Sequence, residues 1–256
     1  MKTSREKKTP FQALSALHES ASLRAITGPS LRPGGFHLTE RGLSLCEFSP
    51  GARIVDVGCG TGASVAYLQE KHRFSALGID VSGDLFLKDG SVKAISLAVA
   101  RAEKLPLPNA SCDGVLCECV LCLVSEPKRA VEEFSRVLRI GGFLILSDIY
   151  DRAPDDGFQS GPVTSRGCSS SLRSRPFVEK LLVDSGFGPL TWEDHSRYLK
   201  ELAAQLILSG GSLTEFHELC TIFDSGCAGS SVLQLSRPGY YLLVAQKMIK
   251  RESFHG

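Results

Sequence analysis

A glycine-rich turn flanked by acidic residues carries the clearest chemical signal in this sequence. The turn is Val55-Asp56-Val57-Gly58-Cys59-Gly60-Thr61-Gly62, and it ends an apolar run typical of a buried strand. Glycines let the backbone bend sharply and let a ligand approach without meeting a Cβ atom. Asp80 ends the next apolar run, where a carboxylate can accept hydrogen bonds from both hydroxyls of a ribose. The pattern predicts a nucleotide-like ligand.

The charge beside the turn distinguishes between two candidate ligands of this kind. Gly58-x-Gly60-x-x-Ala63 satisfies a loose dinucleotide fingerprint, which would make the chain an NAD-dependent dehydrogenase. Asp56 stands two residues before the first glycine, where a pyrophosphate would meet a like charge. An acid there favours a ligand with positive charge, such as the ammonium and sulfonium groups of S-adenosylmethionine. The flanking acids therefore favour S-adenosylmethionine over NAD, and over a turn without any ligand.

The elements that position these residues alternate between strand and helix from residue 52 onward. Apolar runs predict strands at 53–57, 76–80, 95–100, 114–119, 143–147 and 240–247. Helical spacing predicts helices at 64–71, 130–138, 176–185 and 196–208. This alternation predicts an α/β fold, with a Rossmann-like, seven-stranded, mostly parallel sheet and helices on both faces. An N-terminal helix at 11–26 and a C-terminal cap insertion at 196–236 are expected to close over the ligand.

Composition narrows the class of partner. The chain has 256 residues, 43% of them apolar and 22% charged, with a net charge of +1. This balance argues against a nucleic acid or an anionic membrane as partner and leaves the oligomeric state open. No apolar stretch approaches the roughly 20 residues of a membrane span, and no secretory leader is evident. We therefore expect a cytoplasmic protein, whose nine cysteines would stay reduced.

Several segments resemble motifs of the class I S-adenosylmethionine-dependent methyltransferases. Val55–Gly62 resembles their motif I, and Gly78-Ile79-Asp80 resembles their ribose-binding acid. The segment 102–108 resembles the one that lines the adenine, although Arg101 replaces the usual acid before it. Leu138-Arg139-Ile140-Gly141-Gly142 resembles a family turn that has proline in place of Ile140. The resemblance covers residues 51–149, so it implies an N-terminal helical extension at 1–50 and a methyltransferase domain at 51–256. It implies that the cofactor-binding residues are Asp56, Gly58, Cys59, Gly60, Gly62, Asp80, Val81, Ala102, Glu103 and Cys117.

Within this class, the sequence is similar to the arsenite methyltransferases and their quinone-methylating relatives. The similarity lies in the segment from Asp113 through Leu123 and in Ser147-Asp148-Ile149. Gly167-Cys168 falls where arsenite methyltransferases have a Gly-Cys pair that bears a substrate thiolate. The resemblance implies a small-molecule acceptor, with a metalloid or thiol-bound species as one candidate and Cys168 as a catalytic residue.

Three cysteines follow the predicted fourth strand. If this strand ends near Cys119, then Cys117 and Cys119 share one face of the sheet, and Cys122 follows in the next turn. Thiolates are soft ligands for zinc, copper(I) or a metalloid. A cofactor-retaining module that handles a metal or a metalloid, or serves in maturation, is therefore an alternative function. Simple packing is the plainer interpretation, and since no second Cys-x-x-Cys supplies further ligands, no metal is predicted.

A methyl acceptor that loses a proton also needs a base. Asp148, at the end of the fifth strand, is the candidate by topology, and the alternative is that it hydrogen-bonds the loop that follows. His37 precedes the first strand and His195 follows the sixth. Both histidines are expected to be solvated or capping residues rather than bases.

Overall fold

The computed structural model describes Ser30 and residues 32–83, 95–152, 173–208 and 238–249. Seven strands form one sheet: β1 (Arg53–Val57), β2 (Ser75–Asp80), β3 (Ser96–Val99), β4 (Cys112–Glu118), β5 (Leu138–Asp151), β6 (Phe187–Asp194) and β7 (Pro238–Lys247). Five helices in the described ranges accompany them: α1 (Gly35–Ser44), α2 (Ala63–His72), α3 (Pro127–Val137), α4 (Arg175–Asp184) and α5 (Ser196–Leu208). A short 3-10 helix at Leu121–Leu123 follows β4.

The strands lie in the order β3-β2-β1-β4-β5-β7-β6. All neighbours are parallel except at β7, which runs antiparallel to both β5 and β6. β1 pairs with β2 on one side and with β4 on the other, so the direction in which the chain adds strands reverses at β1. Ligands of open α/β sheets bind at such a switch point, beyond the carboxyl ends of the strands. The predicted fold class is confirmed.

The core consists of two apolar layers, one on each face of the sheet, because successive strand residues point to opposite faces. Val55, Val115 and Cys117 point into one layer, which contains α3. Ile54 and Leu116 point into the other, which contains Leu38 of α1. Helix α3 forms where it was expected, since its apolar residues recur at helical spacing and face the sheet; those residues are Ala130, Val131, Phe134 and Val137.

The predicted start of the fifth strand is wrong. The fifth strand was predicted at 143–147, after a turn at Leu138–Gly142, but α3 ends at Val137 and β5 begins at the next residue. Both glycines lie inside β5, where Gly141 has a φ of 76°. The pairing of β4 with β5 shifts register between Cys112 and Gly114. The glycines therefore accommodate a bulge, a common role for glycine within a strand.

The predicted N-terminal helix at 11–26 lies outside the described residues, and so does most of the predicted cap. The first part of that cap, α5, is described and packs against β7. No helix in the described ranges is long and apolar enough to cross a membrane.

Candidate functional site

The glycine turn connects β1 to α2 in a conformation that only glycine adopts readily. Gly58, Gly60 and Gly62 all have positive φ angles, of 80°, 55° and 85°. A Cβ atom on Gly58 would overlap the side chain of Val120, which follows β4. The turn is therefore shaped both by its backbone conformation and by close contact with the segment after β4.

Asp80 joins the tip of β2 to this turn. Its Oδ2 accepts a hydrogen bond from the backbone N–H of Gly60 at 2.9 Å, and its Oδ1 accepts one from Ser82 at 2.9 Å. Burial raises the pKa of Asp80, and these backbone hydrogen bonds partly offset the rise. Val81, the next residue, is half exposed beside it. The two residues lie at the carboxyl edge, as a ribose-binding position requires.

A pair of buried acids lies on one face of the sheet beside the turn. Asp56 of β1 is in register with Leu116 of β4, so it shares a face with Glu118, two residues further along. Burial raises the pKa of Asp56 to about 8, the nearby charge of Glu118 adds to this rise, and the charge of Arg32 lowers it. Burial also raises the pKa of Glu118. Burial therefore favours the neutral forms of both acids beside the turn.

Arg32, from the segment before α1, supplies a cation to these acids. Its Nη2 lies 2.7 Å from Oε2 of Glu118, with 10% and 3% of the two side chains exposed. Arg32 also donates to Thr39 of α1 and, through Nη1 at 3.1 Å, to the hydroxyl of Ser64 in the first turn of α2. Thr39 in turn donates to Glu118 at 3.1 Å. The segment before the sheet is thus tied into the site by a network of buried hydrogen bonds.

The segment expected to line an adenine follows β3. Ala102 and Glu103 are buried. Arg101, where the family has an acid, turns outward, and its guanidinium pairs with Glu103 at 3.0 Å. Ser125 also donates to Glu103, at 3.0 Å. Burial by itself would raise the pKa of Glu103, but these contacts and a backbone hydrogen bond outweigh it and lower the pKa. The Glu103 carboxylate therefore already has partners within the protein.

Two cysteines predicted to bind the cofactor, Cys59 and Cys117, have side chains that pack within the protein. The Sγ of Cys59 lies against Gly78 of β2, at the point where a Cβ on that glycine would crowd it. Cys117 is 1% exposed and belongs to the apolar core. Burial raises the pKa of both thiols. Neither side chain presents a thiolate to the turn.

The prediction that Cys117 and Cys119 share a sheet face is wrong. β4 ends at Glu118, and Cys119 then adopts a φ of 57°, which directs it to the layer opposite Cys117. Cys119 forms a hydrogen bond with Oη of Tyr240, with 2.9 Å between sulfur and oxygen. Cys122 is buried in the 3-10 helix. Within the described ranges, no group of three or more His, Cys, Asp or Glu side chains is arranged to hold a metal ion.

Asp148, the expected base, is held by the backbone. Its Oδ2 accepts from the N–H of Cys122 at 2.9 Å and its Oδ1 from that of Ile149 at 2.7 Å. Burial raises its pKa. These bonds fix the segment after β4, whereas the alternative role placed them on the loop that follows the fifth strand. His37 is exposed, and His195 pairs with Glu193 at 2.9 Å. Cys168 lies outside the described residues.

Several of the known proteins that this chain resembles are named methyltransferases, and one solved structure with a TM-score of 0.60 and 23% identity is a [4+2]-cyclase, SpnF. A family model described as a methyltransferase domain matches residues 55–146, which include the turn, Asp80 and Glu118. An O-methyltransferase of Pyrenophora dematioidea is 28% identical over 214 residues, which cover 78% of this chain and 76% of the relative. The chain is an S-adenosylmethionine-dependent methyltransferase. The dehydrogenase alternative is therefore wrong.

Other similar proteins agree on the fold and differ in the acceptor that their names give. Phosphoethanolamine N-methyltransferase 2 of Haemonchus contortus, solved with S-adenosyl-L-methionine, has a TM-score of 0.64 and 16% identity, and the match covers 96% of this chain and 59% of that one. An arsenite methyltransferase of Halobacterium salinarum is 25% identical over 153 residues, which cover 56% of this chain and 39% of the relative. The methyltransferase acts on a small molecule, and membership in the arsenite branch is not established.

The described residues suit this cofactor. Asp80 stands where a carboxylate can meet ribose hydroxyls, and the ammonium and sulfonium of a bound cofactor would favour the ionised forms of the buried acids Asp56 and Glu118. When bound, S-adenosylmethionine supplies an activated methyl group. The protein's contribution is to orient the partners and to exclude water.

Glu118 and Arg32 were not predicted from the sequence as site residues. Glu118 lay within an apolar, cysteine-rich run, and Arg32 lay among residues that signal only a break between helices.

Proposed function

We propose that this methyltransferase transfers the methyl group to a hydroxyl group of a small organic molecule, bound beyond the carboxyl ends of β4 and β5. Methylation of a hydroxyl forms a C–O bond, breaks the C–S bond of the sulfonium and releases the hydroxyl proton. The sulfur keeps the electron pair of the broken bond. A site for this reaction must therefore receive one proton for each turnover.

The observation that carries the proposal is a chain of hydrogen bonds that ends on Glu118. The thiol of Cys119 can donate to Tyr240, whose hydroxyl donates to Ser147 at 3.3 Å. Ser147 lies opposite Glu118 in the β4–β5 pairing and forms a hydrogen bond with its carboxylate. Every member can pass its proton toward Glu118. Because burial raises the pKa of Glu118, its carboxylate is a better proton acceptor than an exposed one.

Cys119 is the one group in this chain of hydrogen bonds that is not fully buried, so we place the acceptor hydroxyl beside its sulfur. It is partly buried, whereas Ser147 and Tyr240 are fully buried, and it directly follows β4 at the carboxyl edge. Burial raises the pKa of Tyr240 well above its ordinary value, which suits a neutral relay and not a phenolate base. We infer that the acceptor hydroxyl loses its proton to the sulfur of Cys119 as the thiol proton moves on, and that Glu118 ends protonated.

A matched pair of tyrosine variants tests the relay. Tyr240→Phe removes the hydroxyl that connects Cys119 to Ser147, while Tyr241→Phe removes the neighbouring hydroxyl on the other face of the sheet. We expect Tyr240→Phe to lower kcat by about 10²- to 10⁴-fold without changing cofactor affinity. Tyr241→Phe should stay within about threefold of the parent, because side-chain changes away from the reacting groups rarely do more. Equal effects of the two variants would contradict the relay.

The acceptor class is tested with S-adenosylmethionine labelled in its methyl group. The panel contains phenols, alcohols, amines, thiols and arsenite, and each product is identified by mass spectrometry. Label on hydroxyl oxygen supports the proposal, and label on nitrogen or arsenic overturns it. Cofactor that stays bound while no compound is labelled would instead favour the cofactor-retaining alternative.

A metalloid or thiol-bound acceptor is the second candidate. It is supported by the arsenite methyltransferase relative and by the Gly167-Cys168 pair. Metalloid binding needs thiolates, and burial raises the pKa of Cys117, Cys119 and Cys122. The described thiols are therefore poor ligands, and the arsenite arm of the panel decides this candidate.

A further inference from the structure

Two buried polar atoms in the segment before α1 have no hydrogen-bond partner. They are Nε of Arg32 and the hydroxyl oxygen of Ser30. Among the described residues, these two are the buried side-chain nitrogen and oxygen atoms that lack a partner. Buried donors in native proteins almost always have an acceptor. Two orphaned donors on neighbouring residues therefore indicate that an acceptor group belongs beside them.

The guanidinium of Arg32 lies at the cofactor turn. Its Nη1 donates to Ser64, the second residue of α2 and only two positions after Gly62. On its other side it pairs with Glu118, and its charge acts on Asp56. The group is thus fixed between the start of α2 and the two buried acids, and only part of its donor capacity is used.

The chemistry of the cofactor supplies the missing acceptor. S-adenosylmethionine has two cationic groups, an uncharged adenosyl moiety and one anion, its carboxylate. The acids Asp56 and Glu118 suit the cations but would repel that carboxylate. A guanidinium is the side chain best matched to a carboxylate, since its planar donors can form two parallel hydrogen bonds.

We propose that Arg32, assisted by Ser30, binds the carboxylate of S-adenosylmethionine. This inference depends on the identity of the cofactor and not on the hydroxyl acceptor proposed above. It also makes the segment from residue 30 through α1 part of the cofactor site, whereas the sequence analysis assigned residues 1–50 to a separate extension. Arg32 then links three groups, because it binds the cofactor while it balances Glu118 and holds Ser64.

The test compares two cofactors that differ only in the carboxylate. Calorimetry measures the Kd of S-adenosylmethionine and of its decarboxylated form with the full-length protein, and no methyl acceptor is present. We expect the parent protein to bind the carboxylated form about 10- to 100-fold more tightly, as for a hydrogen bond between charged groups. If the parent binds both forms equally, the proposal is overturned without any variant.

Substitutions then assign the preference to Arg32. Arg32→Gln should reduce the preference to about threefold or less, because a neutral amide keeps little of the charge-assisted bond. Arg41→Gln is the matched control, since Arg41 of α1 also pairs with a glutamate distant in sequence, Glu193, but at an exposed site. It should keep the full preference. If Arg32→Gln weakens both ligands by the same factor, Arg32 is only structural and the proposal fails.

A second variant covers the case in which Arg32→Gln does not fold. Arg32→Lys keeps a positive charge beside Glu118 but loses the planar pair of donors. We expect it to fold, as judged by its thermal unfolding, and to retain a preference between those of the parent and Arg32→Gln. An undiminished preference in Arg32→Lys would contradict a role for the guanidinium fork.

Discussion

The backbone N–H of Gly60 donates a hydrogen bond to Oδ2 of Asp80 at 2.9 Å. This bond joins the turn after β1 to the tip of β2 before any ligand is present. It fixes the carboxylate at the edge where ribose hydroxyls are expected, and it explains why a residue 20 positions from Gly60 belongs to the same site.

The first prediction concerns this carboxylate. Asp80→Asn should weaken the binding of S-adenosylhomocysteine by about 10- to 100-fold, because an amide oxygen is a weaker acceptor and its NH2 group cannot accept at all. Calorimetric titration measures the effect. Asp113→Asn is the control, since Asp113 also anchors a strand through the backbone of Arg53 but belongs to no predicted cofactor contact. An unchanged Kd in Asp80→Asn would remove Asp80 from the cofactor site.

The second prediction concerns the space beside Gly58. Gly58→Ala would place a methyl group against Val120 and would also strain a φ of 80°. Gly51→Ala is the matched control, because Gly51 has a similar φ of 76° but no neighbour within 4 Å of the added carbon. Each should lose about 1–2 kcal/mol of stability from backbone strain alone. Only Gly58→Ala should also lose cofactor binding, measured as thermal protection by S-adenosylhomocysteine. Equal protection of the two variants would refute crowding at the turn.

The third prediction is a pH dependence that originates in Asp56. Its pKa is about 8 in the folded protein against an ordinary 3.8. Between these values the folded state binds more protons than the unfolded chain, so the free energy of unfolding falls as the pH rises. Differential scanning fluorimetry of the ligand-free protein from pH 5 to pH 9 should show this decline in Tm. Asp56→Asn should make the decline shallower.

The control for this prediction is Glu40→Gln. Hydrogen bonds to His72, Tyr67 and Lys71 outweigh burial and lower the pKa of Glu40 to about 2, so this acid stays ionised from pH 5 to pH 9. Its variant should follow the slope of the parent protein. Saturating S-adenosylmethionine should also flatten the parent's slope, since a bound cation favours the ionised form of Asp56. Parallel slopes in the parent and Asp56→Asn would show that another group controls the decline.

The fourth prediction separates two roles for Asp148. Asp148→Asn leaves one oxygen to serve two backbone N–H groups, so the variant should unfold at a lower temperature, by about 2–4 °C for each kcal/mol lost. Its kcat, measured well below that temperature, should fall by less than about tenfold. A base would instead produce a loss of about 10²- to 10⁴-fold with little change in Tm.

The regular secondary structure was predictable because it depends on local patterns in the sequence. The apolar runs of β1 and β2 and the helical spacing of α3 follow directly from the need to bury one side of each element. The turn and Asp80 were predictable for the same reason, since their positions follow from where the strands end. The register shift beside Gly142 was not predictable from the sequence, because glycines that follow a helix usually indicate the end of that helix.

The rest of the site depends on contacts between distant parts of the chain. The sequence around Arg32 does not indicate that Arg32 pairs with Glu118. The pairing depends on the strand order, in which β4 lies next to β1 and so brings Glu118 beside the turn. The face of Cys119 was mispredicted because a positive φ in a cysteine is uncommon and has no signal in the sequence. The cysteines of the turn and of β4 pack inside the protein. The sequence alone could not distinguish such packing cysteines from cysteines that bind a metal or a metalloid.

The buried pair of Arg32 and Glu118 limits how far the protein can be shortened. Glu118 lies inside the segment that matches the methyltransferase family model, while Arg32 lies upstream of it. A chain trimmed to the matched segment would keep an interior carboxylate and lose its counter-ion, at a cost of about 3–5 kcal/mol. That is a large fraction of the roughly 5–15 kcal/mol that stabilises a typical domain. We therefore expect that the segment matched by the family model does not fold alone, and shortened versions meant to fold should begin before residue 30.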